Sequence, residues 1–197
     1  MAKTLLLARH GETGPDFKGR FVGSSDVPLA GDGPEQAERL AELAATYRPE
    51  ICLCSPLLRA RQTAIPVAAA TGLPVTTDAE LREVDFGRWE AKTFDEVRAI
   101  DPELVRQWAA WHEDFAFPDG ETLRGFKERV RNTAARLTRL EAGTVLAIAH
   151  GGVIRTMLCH LLGLSLRNYL TFDVQPATLT VLTLHDRGAV LNSFNLK

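Results

Sequence analysis

The sequence predicts an α/β domain of three layers, with a mostly parallel central sheet and helices on both of its faces. Three observations lead there. Near-continuous apolar runs stand at Thr4 to Ala8, Ile51 to Cys54 and Thr144 to Ala149, and such runs suit strands buried on both faces of a parallel sheet. Stretches of helical periodicity separate them, so strand and helix signals alternate along the chain. Two of the runs end abruptly in His-Gly, at His10-Gly11 and His150-Gly151. Sheets of this kind take ligands just beyond the carboxyl ends of their strands.

Each element has its own reason. The opening strand gives way to an irregular segment from Gly14 to Gly33, rich in Gly, Asp and Pro, and a helix follows from Pro34 to Tyr47 with Ala37, Leu40, Ala41, Ala44 and Tyr47 on one face. After the second strand, Ser55 and Pro56 read as N-cap and first residue of a helix reaching about Ala70. Gly72 and Pro74 end it. Val75 to Thr77 is a short strand that leads into the charged segment Leu81 to Glu90. Amphipathic helices follow across Phe94 to His112, and Phe117-Pro118-Asp119-Gly120 breaks the pattern. From Glu121 to about Glu141 the residues Leu123, Phe126, Val130, Ala134, Leu137 and Leu140 recur at steps of three and four, which marks a long helix. The third apolar run precedes a helix from Gly152 to Leu162. Leu170 to Phe172, Ala177 to Leu184 and Val190 to Phe194 read as strands, with a hairpin turn at His185 to Gly188.

Composition sets the bounds. A chain of 197 residues suffices for one well-buried core, so a single domain over 1–197 is expected, with a small helical cap around 90–120. Lys and Arg number 23 against 25 Asp and Glu, a net charge of -2, which argues against nucleic acid or an anionic membrane as partner. Any positive site must therefore be local. The apolar stretch after Lys3 is cut short by Arg9, and no other run could span a bilayer, so a cytoplasmic location is expected. Cys52, Cys54 and Cys159 lack a disulfide or metal spacing and read as small buried hydrophobes.

Gathered at one sheet edge, two histidines and two arginines would make a pocket for a phosphate dianion. Arg9 and Arg59 are its natural clamps, because the guanidinium fork matches a phosphoryl group and stays charged at physiological pH. Arg59 falls in the first turn of its helix, where backbone amides add to the field, and Gly151 and Gly152 offer a second helix start beside His150. An imidazole facing phosphorus can attack it in line, so His10 is the candidate nucleophile. Gly11 could offer its carbonyl to the other ring nitrogen and fix the tautomer. His150 would donate to a phosphoryl oxygen in the transition state. Fixed cations would stand where other phosphoryl-transfer enzymes place Mg²⁺, and neither metal nor cofactor is expected. One carboxyl can protonate the leaving alkoxide and later activate water. Glu83 is the candidate, with Asp85 and Glu90 as rivals. The ordinary expectation for His112, His160 and His185 is a packed, structural histidine.

The residues resemble the histidine phosphatase superfamily, also called the phosphoglycerate mutase-like family. Its Arg-His-Gly-Glu-Thr signature stands at Arg9 to Thr13, its second arginine block resembles Ser55 to Ala64, and its second histidine matches His150-Gly151-Gly152. The segment Leu81 to Glu90 is similar to the family's acid block, which implies Glu83 as proton donor. The resemblance runs essentially end to end. It implies an α/β sandwich, a phosphohistidine at His10, a histidine acid phosphatase-type hydrolase, and a phosphate site of Arg9, Arg59, His150, Gly151 and Thr13. Asp16 stands where many members carry Asn and is placed outside the site. The longer insertion and the Arg-His-Tyr-Gly run of the bisphosphoglycerate-dependent phosphoglycerate mutases are missing, so the phosphatase branch is expected, acting on a small-molecule phosphate ester. Phe86 to Glu90 and Pro118 to Thr122 are similar to the alpha-ribazole phosphatases of cobalamin synthesis, and recur in broad-specificity members. The competing readings are a mutase and a catalytically silent module that binds phosphorylated ligands. Trp108, Trp111, Phe115 and Phe117 would either stack on a heterocyclic leaving group or pack the cap onto the core.

Overall fold

The protein is represented by a computed structural model that describes residues 3–112, 114–186 and 188–197. Its described residues form one six-stranded sheet from β1 (Lys3–Arg9), β2 (Ile51–Cys54), β3 (Val75–Thr77), β4 (Thr144–Ala149), β5 (Leu179–His185) and β6 (Gly188–Leu196). The order is β3-β2-β4-β1-β5-β6. The four strands β3, β2, β4 and β1 run parallel, and β5 and β6 add an antiparallel ribbon at one side. That ribbon closes where His185 pairs with Gly188, and Arg187 of the expected turn lies outside the described residues.

Alternation of side chains across a strand explains why the apolar runs are unbroken. Leu6 and Ala8 of β1 point to one face, where they meet Leu40 and Ala44 of α1 (Gly33–Thr46) and Ala60 and Ala64 of α2 (Leu58–Thr71). Leu5 and Leu7 point to the other, toward Val130 and Leu137 of α5 (Leu123–Arg139) and Val153 and Met157 of α6 (Gly151–Leu161). Both faces are thus dry, and each fully buried leucine stabilises the fold by about 1.5–3 kcal/mol. Helices α3 (Phe94–Ile100) and α4 (Pro102–Ala109) join the second core through Val97 and Val105, beside Trp89, Phe115 and Phe117. Lys3 anchors the far end of α5 by donating to the carbonyls of Thr138 and Leu140.

Three expectations need correction. Ser55 and Pro56 do not open α2, which begins at Leu58 behind Leu57 in extended backbone; Ser55 is buried and turned toward a histidine. Glu121 lies outside α5, because its backbone is tied to the loops through Asp85 O and Phe117 N, and Thr122 caps the helix by accepting from Gly125 N. Leu170 to Phe172 is no strand. Residues Leu166–Thr171 form a 3-10 helix behind a Ser165 cap, and Leu170 is exposed. The three cysteines are buried and free, and burial pushes the Cys52 and Cys54 thiols up to about 12. Among the described residues no helix is long and apolar enough to cross a membrane.

Candidate active site

Register assembles the site. Arg9 pairs with Ala149 across the parallel β1–β4 ladder, and His10 N donates to Ala149 O at 3.1 Å, so His10 and His150 leave neighbouring strands at the same level. Their ring centroids are 5.0 Å apart. On the other side of β4, Cys54 pairs with Ile148 and Ser55 N donates to Ile148 O at 2.9 Å. This brings the Ser55 hydroxyl to 2.7 Å from His150 Nε2. Gly11 N donates to Thr63 Oγ1 at 3.1 Å, which ties the turn after β1 to α2 and so to Arg59 in its first turn.

The hydrogen bonds of His10 assign its tautomer. Nδ1 lies 2.7 Å from Gly11 O and donates to it, while Nε2 accepts from Arg59 Nε at 3.2 Å. The proton therefore sits on Nδ1 and the lone pair on Nε2. Desolvation holds the His10 imidazole well below its ordinary value of 6.5, and the charges of Arg59 and Arg9 lower it further. His150 is lowered in the same direction, by burial first and then by His10 and the arginines. Both rings are neutral near pH 7.

The two guanidiniums are only partly occupied by the protein. Besides its bond to His10, Arg59 donates to Ser25 O at 2.8 Å and to Gly23 O at 2.7 Å, three of the five donors that a guanidinium carries. Arg9 donates to Val174 O, and its Nε is buried with no partner among the described residues. His150 Nδ1 is the second such atom in this cluster. Orphaned buried polar atoms are rare in folded proteins. Here two lie around one imidazole pair, where an anion with several oxygens would satisfy both.

Glu83 comes to the same place. Its carboxylate accepts from Gly152 N at 2.7 Å and Val84 N at 3.1 Å, so it sits on the first turn of α6 beside His150. Its rivals are engaged elsewhere. Glu90 accepts from Gly23 N, Ser24 N, Ser25 Oγ and Phe86 N, and Asp85 from Ser24 Oγ and Gly87 N. Both brace the 23–25 loop, whose carbonyls in turn hold Arg59. Gly151 lies against Arg9; a Cβ there would be 3.6 Å from its Cζ. Thr13 is half-buried on the loop after β1, its backbone bridged to Ala30. Asp16 is exposed on the 3-10 turn Pro15–Phe17, where its carbonyl accepts from Arg20 Nε.

Sequence reasoning missed Ser55, the 23–25 loop and Tyr169. The Tyr169 ring lies 5.6 Å from Trp111 and 5.5 Å from Arg155 Cζ, and burial first, then the charge of Glu83, raises its phenol to about 12. Of the four cap aromatics, Phe115 and Phe117 are buried, and Trp108 packs edge-on against Phe21, Trp89 and Phe117. These three pack the cap onto the core, and Trp111 is half-buried against the Tyr169 ring. His112, His160 and His185 are exposed instead of packed. Among the described residues no group of three or more His, Cys, Asp or Glu could hold a metal ion.

Fold and site together define a phosphatase, an α/β enzyme with fixed cations around two neutral imidazoles. The chain belongs to the histidine phosphatase superfamily, branch 1, whose family model matches residues 5–197. It is 32% identical over 195 residues to an adenosylcobalamin/alpha-ribazole phosphatase of Escherichia coli K12, covering 97% of this chain and 95% of that protein. Phosphoserine phosphatase 1 of Hydrogenobacter thermophilus is 30% identical over 193 residues, covering 98% and 92%. Among solved structures, the alpha-ribazole phosphatase from Shigella flexneri superposes with a TM-score of 0.88 at 30% identity, over 98% of this chain and 96% of that one.

Proposed function

We propose that the protein is a metal-independent phosphomonoesterase of the histidine acid phosphatase type, working through a phosphohistidine at His10. The observation that carries this reading is the His10 ring itself, with Nδ1–H fixed on Gly11 O and the Nε2 lone pair among cationic donors. A phosphate monoester enters with its oxygens on the free donors of Arg9 and Arg59, on His150 Nδ1 and beside Gly151 and Thr13. His10 Nε2 attacks phosphorus in line, the N–P bond forms, and the bond to the ester oxygen breaks. Glu83 gives its proton to the departing alkoxide. In the second half Glu83 takes a proton from water, the water oxygen bonds to phosphorus, the N–P bond breaks and phosphate leaves. His150 and the arginines stabilise the charge on the equatorial oxygens in both halves, and one such donor is worth about 10²–10³ in rate.

The substrate is a small phosphate ester. The alpha-ribazole and phosphoserine phosphatases among the relatives support that class, and alpha-ribazole phosphate or a broad set of esters is the favoured choice within it. The test is phosphate release from a panel of esters in excess chelator, with His10→Ala as control. Release that survives the chelator and disappears in the variant supports the reading. Release abolished by chelator, retained by His10→Ala, or outpaced by isomerisation of phosphoglycerate with a bisphosphate primer overturns it.

A further inference from the structure

We propose that Arg129, braced by Glu121, is the positioning residue for Glu83: it fixes the backbone of the acid's segment so that the carboxyl meets the leaving oxygen. The inference rests on Glu83 being the proton donor.

Arg129 projects from the middle of α5 and is 7% exposed. Its Nε donates to Glu121 Oε1 at 3.0 Å, and one terminal nitrogen donates to Glu121 Oε2 at 2.9 Å, a bidentate pair. The same nitrogen donates to Glu83 O at 3.4 Å. The other terminal nitrogen donates to Glu80 O and Arg82 O, both at 2.8 Å. All five donors of the guanidinium are thereby committed, three of them to carbonyls of the short segment that ends in Glu83. Arg129 therefore differs in kind from Arg9 and Arg59, which keep donors for an anion.

Glu121 is itself locked to the acid block, since its N donates to Asp85 O and its carbonyl accepts from Phe117 N. The Phe126 ring lies 5.2 Å from the Arg129 guanidinium carbon and closes another side. The carboxyl of Glu83 is held at its tip by Gly152 N, and its main chain is held by Arg129. This gives the Pro118 to Thr122 motif a role that the phosphate chemistry leaves unassigned. Lysine keeps the charge but cannot reach acceptors spread over a planar fork.

A purely structural arginine would depress every activity alike. A residue that aims a proton donor depresses only the reactions that need the proton. The experiment measures kcat/KM, which reports events through the first phosphoryl transfer, for an alkyl phosphate and for p-nitrophenyl phosphate, whose leaving group departs unprotonated. Arg129→Lys should lower the alkyl value about 30-fold and the nitrophenyl value less than about 3-fold, inside the range of general acid catalysis. Glu83→Gln should show the same bias, and Arg129→Lys added to it should cost nothing more. Glu121→Gln keeps the three carbonyl bonds and should show a smaller bias of about 5-fold; it decides the matter alone should Arg129→Lys not fold. Equal losses on both esters, or full additivity with Glu83→Gln, overturn the inference. Activity retained by His10→Ala, or no bias in Glu83→Gln, instead defeats the proposed function.

Discussion

Replacing Gly152 by alanine should lower activity sharply in a protein that still folds. Gly152 is the second residue of α6 and takes no left-handed backbone conformation, so a helix accepts alanine there and gains about 0.5–1 kcal/mol in propensity. A Cβ at that position, however, would stand 2.4 Å from Glu83 Oε1, 2.9 Å from its Cδ and 3.0 Å from Oε2. Ordinary contact needs roughly 3.5–4 Å. The carboxylate must therefore retreat by about 1 Å, and displacement on that scale in a reacting group costs about 10²-fold in rate. The retreat also strains the 2.7 Å bond from Gly152 N, a charge-assisted contact worth about 1.5–3 kcal/mol. The net loss is then about 0.5–2.5 kcal/mol, and at about 2–4 °C per kcal/mol the melting temperature falls by no more than about 10 °C. The assay is phosphate release from an alkyl ester beside thermal melting. A folded Gly152→Ala protein with unchanged kcat/KM would refute Glu83 as the proton donor held by α6.

Two further outcomes follow from the histidine pair. Ser55→Ala removes the only partner of His150 Nε2 among the described residues and leaves both ring nitrogens of a buried imidazole unpaired there, which should cost about 1–3 kcal/mol and about 10-fold in turnover; unchanged melting and unchanged rate would show that Ser55 does not orient the ring. The lowered pKa values of His10 and His150 mean that the unfolded chain takes up protons near pH 6.5 that the folded chain refuses. Their contribution to stability is thus complete above pH 6.5 and is lost as pH falls through the folded values. Melting temperature should drop on acidification below that point, less steeply in His150→Asn, and a flat wild-type profile would contradict neutral buried imidazoles.

What the chain discloses by itself depends on how local the determining physics is. The strands at β1, β2 and β4 were legible because burial on both faces leaves an unbroken apolar run. The convergence of Arg9, His10, Arg59 and His150 was legible because parallel strands end at one edge, with Arg9 closing β1, the two histidines directly after β1 and β4, and Arg59 in the first turn of the helix that follows β2. Ser55 was misread as a helix cap because its true partner is 95 residues away and only the β2–β4 register brings them together. Spacing could not separate Glu83 from Asp85 and Glu90, since the choice depends on which carboxylate meets the first turn of α6 and which are taken up by the 23–25 loop. Leu170 to Phe172 looked like a strand because Leu-Thr-Phe alternates apolar and polar over too few residues to tell a strand from a helical turn, and the Ser165 cap was the signal that could have corrected it.

The central claim is that phosphorus is passed through His10, and the stereochemistry at phosphorus tests it most directly. Hydrolysis of an oxygen-isotope-chiral phosphorothioate monoester in labelled water should proceed with net retention, because two in-line displacements, on His10 Nε2 and then by water, each invert the centre. Net inversion would mean that water attacks the ester in a single step, and the phosphohistidine account would be wrong.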